Sequence, residues 1–245
     1  LSMPVDIMFS SFDESPSDVE RPFIRKEPKT YKAWPEPSAL NEILGIIKSS
    51  KKPIIIGGHG IWWSKNEDLL KQVGDEIKIP ILNVPYHQKL LNENCKAFLG
   101  LADVHQYHPS KFAFNESDCI IMVGGRLDNQ MNFGNPPLFP ASSRLICVNG
   151  SHEEIEFNRA ADHLLLSDPG AFFECLLESY NGDKFSLEKD WLAKNIEERK
   201  KWVTASVNNL VETTNSRAWS GGKIHPLELS LSVQRCMTDQ DILVF

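Results

Sequence analysis

The stretch PIIIGGHGIWWSKNEDLL, residues 53–70, decides the fold. It begins with Pro53 and three isoleucines, which are apolar and β-branched, and this run predicts a short buried strand of a parallel sheet. A helix is expected next, with Ser64 as its N-cap and Glu67 three residues later, the spacing of a capping box. The first N–H groups of a helix lack partners and its dipole attracts negative charge, so this strand, turn and helix favour an anion. The turn between them contains glycines at positions 57, 58 and 60.

The same stretch differs from the dinucleotide fingerprint of NAD-binding proteins. Trp63 stands where that fingerprint has its third glycine, and the next strand, residues 79–84, ends without the expected acidic residue. Two interpretations stay open from these residues alone. The turn either approaches a ligand, or it merely joins a strand to a helix, with Trp62 and Trp63 in the core.

Composition excludes several classes of function. The chain has 245 residues, 41% of them hydrophobic and 24% charged, with a net charge of −7. Such a chain is globular, and its acidity argues against nucleic acid and anionic membranes as partners. No apolar run reaches the length of a membrane span. Five cysteines without a Cys-x-x-Cys pair indicate reduced thiols in a cytoplasmic protein.

Helical and strand-like patterns alternate along the chain, which predicts an α/β fold whose parallel sheet has helices on both faces. Further strands are expected at 119–123, 144–148 and 163–166. The expected helices begin at Ser38 and Ser64 and span 109–114, 153–158, 169–180 and 187–210, with a last helix starting near Pro226.

Ligands of such sheets bind at the carboxyl ends of the strands. Arg126 follows a strand and two glycines, so it can hold phosphates or stack on a base, or it can pair with Asp128. Asn149 and Asp168 each follow a strand and can accept hydrogen bonds from ribose hydroxyls. The alternative for both is a helix N-cap or a turn residue.

Metal binding and triad catalysis receive little support from the sequence. His87, His105 and His108 lack a familiar zinc spacing and a convincing acidic or cysteine partner. No nucleophile–base set is recognisable from spacing, since such sets form in space. We therefore predict no metal site in this chain.

Four longer motifs occur in the order of one known family. PIIIGGHGIWWS is similar to its PVIIAGGGV turn, GGRLDNQMNFG to GARLDWxLNFG, and LICVNGSHEEIEFNR to VIQVDIDPEEIGRNR, and LSMPVDIMF is similar to its DLPVDV strand. The chain thus resembles the central domain of thiamine-diphosphate-dependent enzymes of the acetolactate synthase group, including the 2-hydroxyacyl-CoA lyase and oxalyl-CoA decarboxylase branch. IHPLELSLSVQRCMTDQDILVF resembles the start of the following domain.

The resemblance implies a Rossmann-like, doubly wound, six-stranded and mostly parallel sheet, flanked by partial segments of neighbouring domains. Residues 1–9 would end the pyrimidine-binding domain and residues 10–37 form a linker. The central nucleotide-binding-like domain would be 38–182, and 183–222 a connecting helix and linker. Residues 223–245 would start a truncated diphosphate-binding domain, so we expect a piece of a longer polypeptide.

In that family the central domain binds the ADP part of a nucleotide, as FAD, ADP or a CoA-related ligand. The glycine turn would approach the phosphates or the flavin, and the arginine would contact the phosphates or the adenine. The residues at the ends of the later strands would frame the adenosine. This chain has Asn149 and Gly150 where the family usually has Asp and Ile, so the resemblance implies either weaker binding of adenosine or an empty site. The residues assigned to this ligand are Gly58, His59, Gly60, Arg126, Leu127, Asn149, Gly150 and Asp168.

The resemblance also implies an activity for the full-length protein. It would decarboxylate a 2-oxo acid such as pyruvate and ligate the product to a second carbonyl, as in branched-chain amino acid biosynthesis. Thiamine diphosphate, magnesium and the catalytic glutamate would be held by the other domains, so this chain alone is expected to be inactive. A homodimer or homotetramer with a possible regulatory subunit is expected. The alternatives are a lyase acting on an acyl-CoA substrate and a non-catalytic scaffold with an empty nucleotide pocket.

Overall fold

The computed structural model describes residues 31–85, 90–91, 94–103, 108–136, 139–155, 158–180, 185–215, 224, 226–238 and 240–241. The chain forms two compact units, residues 1–31 and residues 32–245, and every element described below lies in the second. The strand-like stretch LSMPVDIMF lies outside the described residues, as do His87 and His105. The predicted domain boundaries stay predictions.

Six strands form one sheet in the order β3-β2-β1-β4-β5-β6, and every pairing is parallel. The α/β, Rossmann-like prediction is confirmed, with a fully parallel rather than a mostly parallel sheet. The strands are β1 (Pro53–Gly57), β2 (Ile81–Asn83), β3 (Phe98–Leu101), β4 (Cys119–Val123), β5 (Arg144–Asn149) and β6 (His163–Leu166).

Helices cover both faces of this sheet. Alternate residues of a strand point to opposite faces, so Ile55 of β1 packs into one apolar core while Ile54 and Ile56 pack into the other. The first core also contains residues of α1, α3 and α5, and the second contains residues of α4 and α6. The helices are α1 (Pro37–Ser49), α2 (His59–Trp63), α3 (Glu67–Ile77), α4 (His108–Glu116), α5 (Pro169–Ser179), α6 (Trp191–Asn215) and α7 (Pro226–Cys236).

Two predicted helix starts are wrong. Helix α1 is capped by Glu36, whose carboxylate accepts from the N–H of Ala39, and not by Ser38. The capping box at Ser64 does not form, because the short helix α2 begins directly after the glycine turn. The Ser64 hydroxyl instead donates to the carbonyl of Gly60 at 2.8 Å.

Two further expectations differ from the structure. The helix expected at 153–158 is a turn at residues 152–155, and Asn158 beyond it has a φ of +71°. The tryptophans after the glycine turn are not in the core, since Trp62 is 42% and Trp63 73% exposed. Both corrections concern the edge of the sheet where the strands end.

The cysteines are free thiols. Cys95, Cys119 and Cys147 are buried, Cys175 is half-buried and Cys236 is exposed. Burial raises the pKa of the Cys119 thiol to about 11, which keeps it protonated and unreactive at neutral pH.

Among the described residues, no helix is long and apolar enough to cross a membrane.

The turns after β1 and β4 touch through glycine backbones. The N–H of Gly58 donates to Val123 at 2.8 Å, and that of Gly60 donates to Gly124 at 2.7 Å. A Cβ atom at position 58 would lie 2.3 Å from the Cα of Gly125. Gly124 itself has a φ of +64°, a conformation that side chains disfavour. These glycines are therefore required by the close approach of two turns.

We expect Gly58→Ala to destabilise the chain by about 3 kcal/mol, because the added methyl group collides with backbone that cannot rotate away. Gly45→Ala is the matched control, since a Cβ atom there meets nothing within 4 Å and should stabilise helix α1 by about 0.5–1 kcal/mol. Urea unfolding followed by circular dichroism measures both. Equal stability of the two variants would show that the turns can separate without cost.

Trp191 joins helix α6 to the sheet. Its side chain is buried, and its indole Nε1–H donates to the carbonyl of Pro53 in β1 at 2.8 Å. The long helix predicted for this region is thus confirmed, and its first residue is part of the second core. Helix α6 is therefore fixed at its N-terminal end by a buried hydrogen bond and an aromatic side chain.

We expect Trp191→Ala to cost about 3–5 kcal/mol of unfolding free energy, the range for truncating a buried aromatic residue. Trp191→Phe keeps most of the apolar contact but loses the hydrogen bond, which should cost about 1–3 kcal/mol. Trp34→Phe, at a residue 58% exposed, should change stability by no more than about 0.5 kcal/mol. Denaturant titration measures the unfolding free energies of the three variants. If Trp191→Ala is as stable as the wild type, Trp191 does not fix helix α6 to the sheet.

Candidate functional site

A cavity of about 500 Å³ opens at the carboxyl ends of the strands. It lies over β1 and β4, the neighbouring strands between which the chain order of the sheet reverses. Doubly wound sheets bind their ligands at such a switch point, and this volume is typical of a small-molecule site. The lining residues are His59, Gly60, Trp63, Val84, Pro85, Gly124, Gly125, Arg126, Asp128, Asn149 and Glu154.

The structure brings half of the predicted ligand residues to this cavity. His59, Gly60, Arg126 and Asn149 line it, although they come from three different strand ends. Their convergence is the result expected of a parallel sheet. The ligand contacts themselves stay predictions.

The other four predicted residues do not line the cavity: Gly58, Leu127, Gly150 and Asp168. Leu127 is buried in the second core. Asp168 is the N-cap of helix α5, where its carboxylate accepts from the N–H groups of Gly170 and Ala171 at 2.8 and 3.2 Å. The alternative open for Asp168, a helix N-cap, is therefore the arrangement in the structure.

The glycine turn does not offer the row of N–H donors that its sequence suggested. The N–H groups of Gly58, Gly60 and Ile61 all donate to backbone carbonyls. Helix α2, which starts here, has only five residues, so its dipole is small. The expectation of an anion site built from unpartnered helix N–H groups is thus corrected, because the close contact of the two turns uses these donors.

Arg126 is the arginine of the cavity wall, and its charge faces a carboxylate. Its guanidinium lies 3.5 Å from Glu154, with the two side chains 53% and 43% exposed. The partner considered from the sequence, Asp128, instead accepts from the N–H groups of Gln130 and Met131. An exposed pair at this distance is weak, so the guanidinium can exchange Glu154 for a ligand at little cost.

Asn149 connects the ends of β4 and β5. Its side-chain Nδ2 donates to the carbonyl of Gly125 at 3.2 Å, and its Oδ1 accepts from the N–H of Ser151 at 3.1 Å. An aspartate has no proton to donate to that carbonyl at neutral pH. Asparagine at this position therefore stabilises the wall of the cavity, which is a reason for the departure from the family motif.

Sequence reasoning missed several residues of the wall. The sequence motifs assign none of Trp63, Val84, Pro85 and Glu154 to the ligand. Glu154 was placed in a helix that does not form. The sequence contains a signal for Trp63, Val84 and Pro85, because each stands within three residues of a predicted strand end or of the glycine turn.

Among the described residues, no group of three or more His, Cys, Asp or Glu side chains is placed to hold a metal ion. His108 starts helix α4, and nothing is described of its side chain. The metal hypothesis for the three histidines thus falls outside the described side chains.

Known proteins with similar sequences belong to two enzyme groups. A 2-hydroxyacyl-CoA lyase from Arabidopsis thaliana is 25% identical over 242 residues, which cover 95% of this chain and 36% of that protein. A protein from Methanococcus aeolicus named as a probable acetolactate synthase large subunit is 26% identical over 180 residues, 73% of this chain and 29% of that protein. The chain therefore spans about a third of the length of these relatives.

Comparison with solved structures supports the fold. A protein from Mycobacterium smegmatis assigned as a thiamin diphosphate-dependent enzyme superposes with a TM-score of 0.54 at 15% identity, over 65% of this chain and 31% of that protein. Residues 40–176 match the model of the family described as thiamine pyrophosphate enzyme, central domain. More than half of the sequence lies within this match, and the chain belongs to the central-domain family of the thiamine pyrophosphate enzymes.

Proposed function

We propose that this domain binds the ADP part of a nucleotide, as FAD or ADP, in the cavity at the switch point. One observation carries the proposal. Four residues assigned to the nucleotide from sequence motifs line a single cavity of about 500 Å³, at the place where doubly wound sheets bind ligands.

The cavity fits such a ligand in both shape and chemistry. Gly60, Gly124 and Gly125 leave a wall without side chains, along which a chain of phosphates can lie close to the backbone. Arg126 supplies a planar cation that can bind phosphate oxygens in a bidentate manner. Glu154 offers carboxylate oxygens as acceptors for ribose hydroxyls.

The charge of the wall sets a condition on binding. Arg126 faces Glu154, and Asp128 adds a second carboxylate to the lining. A diphosphate that takes Arg126 must displace the Glu154 carboxylate from it. The two acidic residues therefore oppose a strongly anionic ligand, while the arginine favours it.

We expect Arg126→Ala to weaken ADP binding by about 1.5–3 kcal/mol, the range for a hydrogen bond to a charged group. Glu154→Gln should strengthen it by up to about 1 kcal/mol, because an exposed ion pair and a like-charge repulsion are removed. Calorimetric titration of ADP measures both.

The matched control is Lys71→Ala, which removes a cation from another exposed ion pair, that with Asp75 on helix α3. It should leave ADP affinity unchanged. If Arg126→Ala and Lys71→Ala bind ADP equally well, Arg126 does not contact the ligand.

For the full-length protein we propose an acetolactate-synthase-like enzyme that decarboxylates a 2-oxo acid such as pyruvate and ligates the product to a second carbonyl. Thiamine diphosphate, held with magnesium by other domains, would supply the carbanion chemistry. The residues of this chain would bind and orient the nucleotide. A cytoplasmic homodimer or homotetramer, with or without a regulatory subunit, goes with this proposal.

A thiol-ester lyase is the second candidate. It is favoured by the 2-hydroxyacyl-CoA lyase that aligns with 95% of this chain, and its substrate would be an acyl-CoA. The third candidate is a scaffold domain with an empty pocket. It is favoured by the N–H groups of the glycine turn and the amide of Asn149, which are engaged within the protein.

Three measurements separate these candidates. Full-length protein is assayed with pyruvate and with a 2-hydroxyacyl-CoA, and absence of acetolactate from pyruvate would reject the synthase. Its visible absorption spectrum is then recorded, and we expect a flavin band if FAD fills the cavity. The 245-residue chain should show no turnover even with thiamine diphosphate and magnesium, and any turnover would place catalytic residues inside it.

A further inference from the structure

An exposed tryptophan forms part of the cavity wall. Trp63 ends helix α2, lines the cavity and is 73% exposed. Single exposed apolar residues are common on protein surfaces. An indole on the wall of a concave site is different, because a ligand that enters the cavity must pass beside an apolar ring from which water is easily displaced.

Helix α2 holds this ring in place before any ligand arrives. Ile61, within the same helix, is fully buried, and the N–H of Gly60 bonds to the turn after β4. The neighbouring Trp62 ring contacts Trp63 in an edge-to-face arrangement, with ring centroids 4.8 Å apart and an interplanar angle of 71°. Indole has only two side-chain torsions, so little conformational entropy is lost when it binds.

The rest of the wall indicates which part of a ligand the site favours. Besides the imidazole of His59, which can donate a hydrogen bond to phosphate, its ionisable side chains are one arginine, Arg126, and two carboxylates, Asp128 and Glu154. The polyphosphate part of a nucleotide therefore meets a wall with more negative than positive charge. Val84 and Pro85 add apolar surface to the same cavity, which favours contact with an uncharged ring.

We propose that Trp63 is the stacking surface for the planar ring of the ligand, and that it makes the site selective for nucleotides over inorganic diphosphate and sugar phosphates. This inference rests on the proposed nucleotide site. It adds the group that recognises the ring, a residue that the sequence motifs did not assign to the ligand.

The test compares ligands and variants of the 245-residue chain by calorimetry. ADP, ribose 5-phosphate and inorganic diphosphate are titrated into the wild-type chain and into Trp63→Ala, Trp63→Phe and Trp34→Ala, the last at an exposed tryptophan that does not line the cavity. Stacking of one base on an aromatic side chain corresponds to about tenfold or more in affinity. We expect Trp63→Ala to lose about that factor for ADP, Trp63→Phe to recover part of it, and Trp34→Ala to bind as the wild type does.

A second readout needs only the wild-type chain and the conservative variant Trp63→Phe. ADP should protect a tryptophan of the wild-type chain from collisional quenching by acrylamide, whereas ribose 5-phosphate and diphosphate should not. Six tryptophans contribute to the signal, so the protected fraction is assigned by its disappearance in Trp63→Phe.

The outcomes distinguish this inference from the proposed function. If ADP binds equally to Trp63→Ala and to the wild-type chain, or protects no tryptophan, stacking is overturned while the nucleotide site stands. If ribose 5-phosphate binds as tightly as ADP, the selectivity for a ring is overturned. If neither ADP nor FAD binds the wild-type chain, the nucleotide site itself is rejected, and the stacking role with it.

Discussion

The contact between the turns after β1 and β4 is the constraint on which the candidate site depends. In a parallel sheet whose chain order reverses between these strands, the two connections leave in opposite directions and a crevice remains between them. Here glycines allow the two backbones to touch at the floor of that crevice, with hydrogen bonds from Gly58 and Gly60 to the β4 turn. Any side chain at position 58 would force the strand ends apart.

The same contact determines what the cavity can use to bind a ligand. Backbone N–H groups that donate to carbonyls are not available to phosphate oxygens without breaking those bonds. Recognition is therefore left to side chains on the walls, among them Arg126, Asn149, Glu154 and Trp63. The glycine turn fixes the shape of the site, whereas its chemistry comes from the residues that follow the strands.

The fold could be predicted from the sequence because its strands are short apolar runs between turns. β4 is the clearest case, since all five of its residues are buried. β3 was missed: its sequence FLGL contains a glycine with a φ of +115°, and its pairing with β2 shifts register. Helix starts were less predictable. Ser64 shows the reason, since its hydroxyl donates to a carbonyl of the helix before it, α2, instead of capping the next helix, α3.

Half of the residues predicted for the site line the cavity, and for Asp168 the reason that it does not is topology rather than residue type. Arg126 and Asn149 follow strands β4 and β5, whose ends lie beside the crevice, whereas Asp168 follows β6 at the edge of the sheet. A polar residue after a strand reaches a ligand only if that strand lies near the switch point. Away from it, the same residue caps the next helix, as Asp168 does. Strand order, which follows from pairing across the whole sheet, is therefore needed to tell a ligand residue from an N-cap.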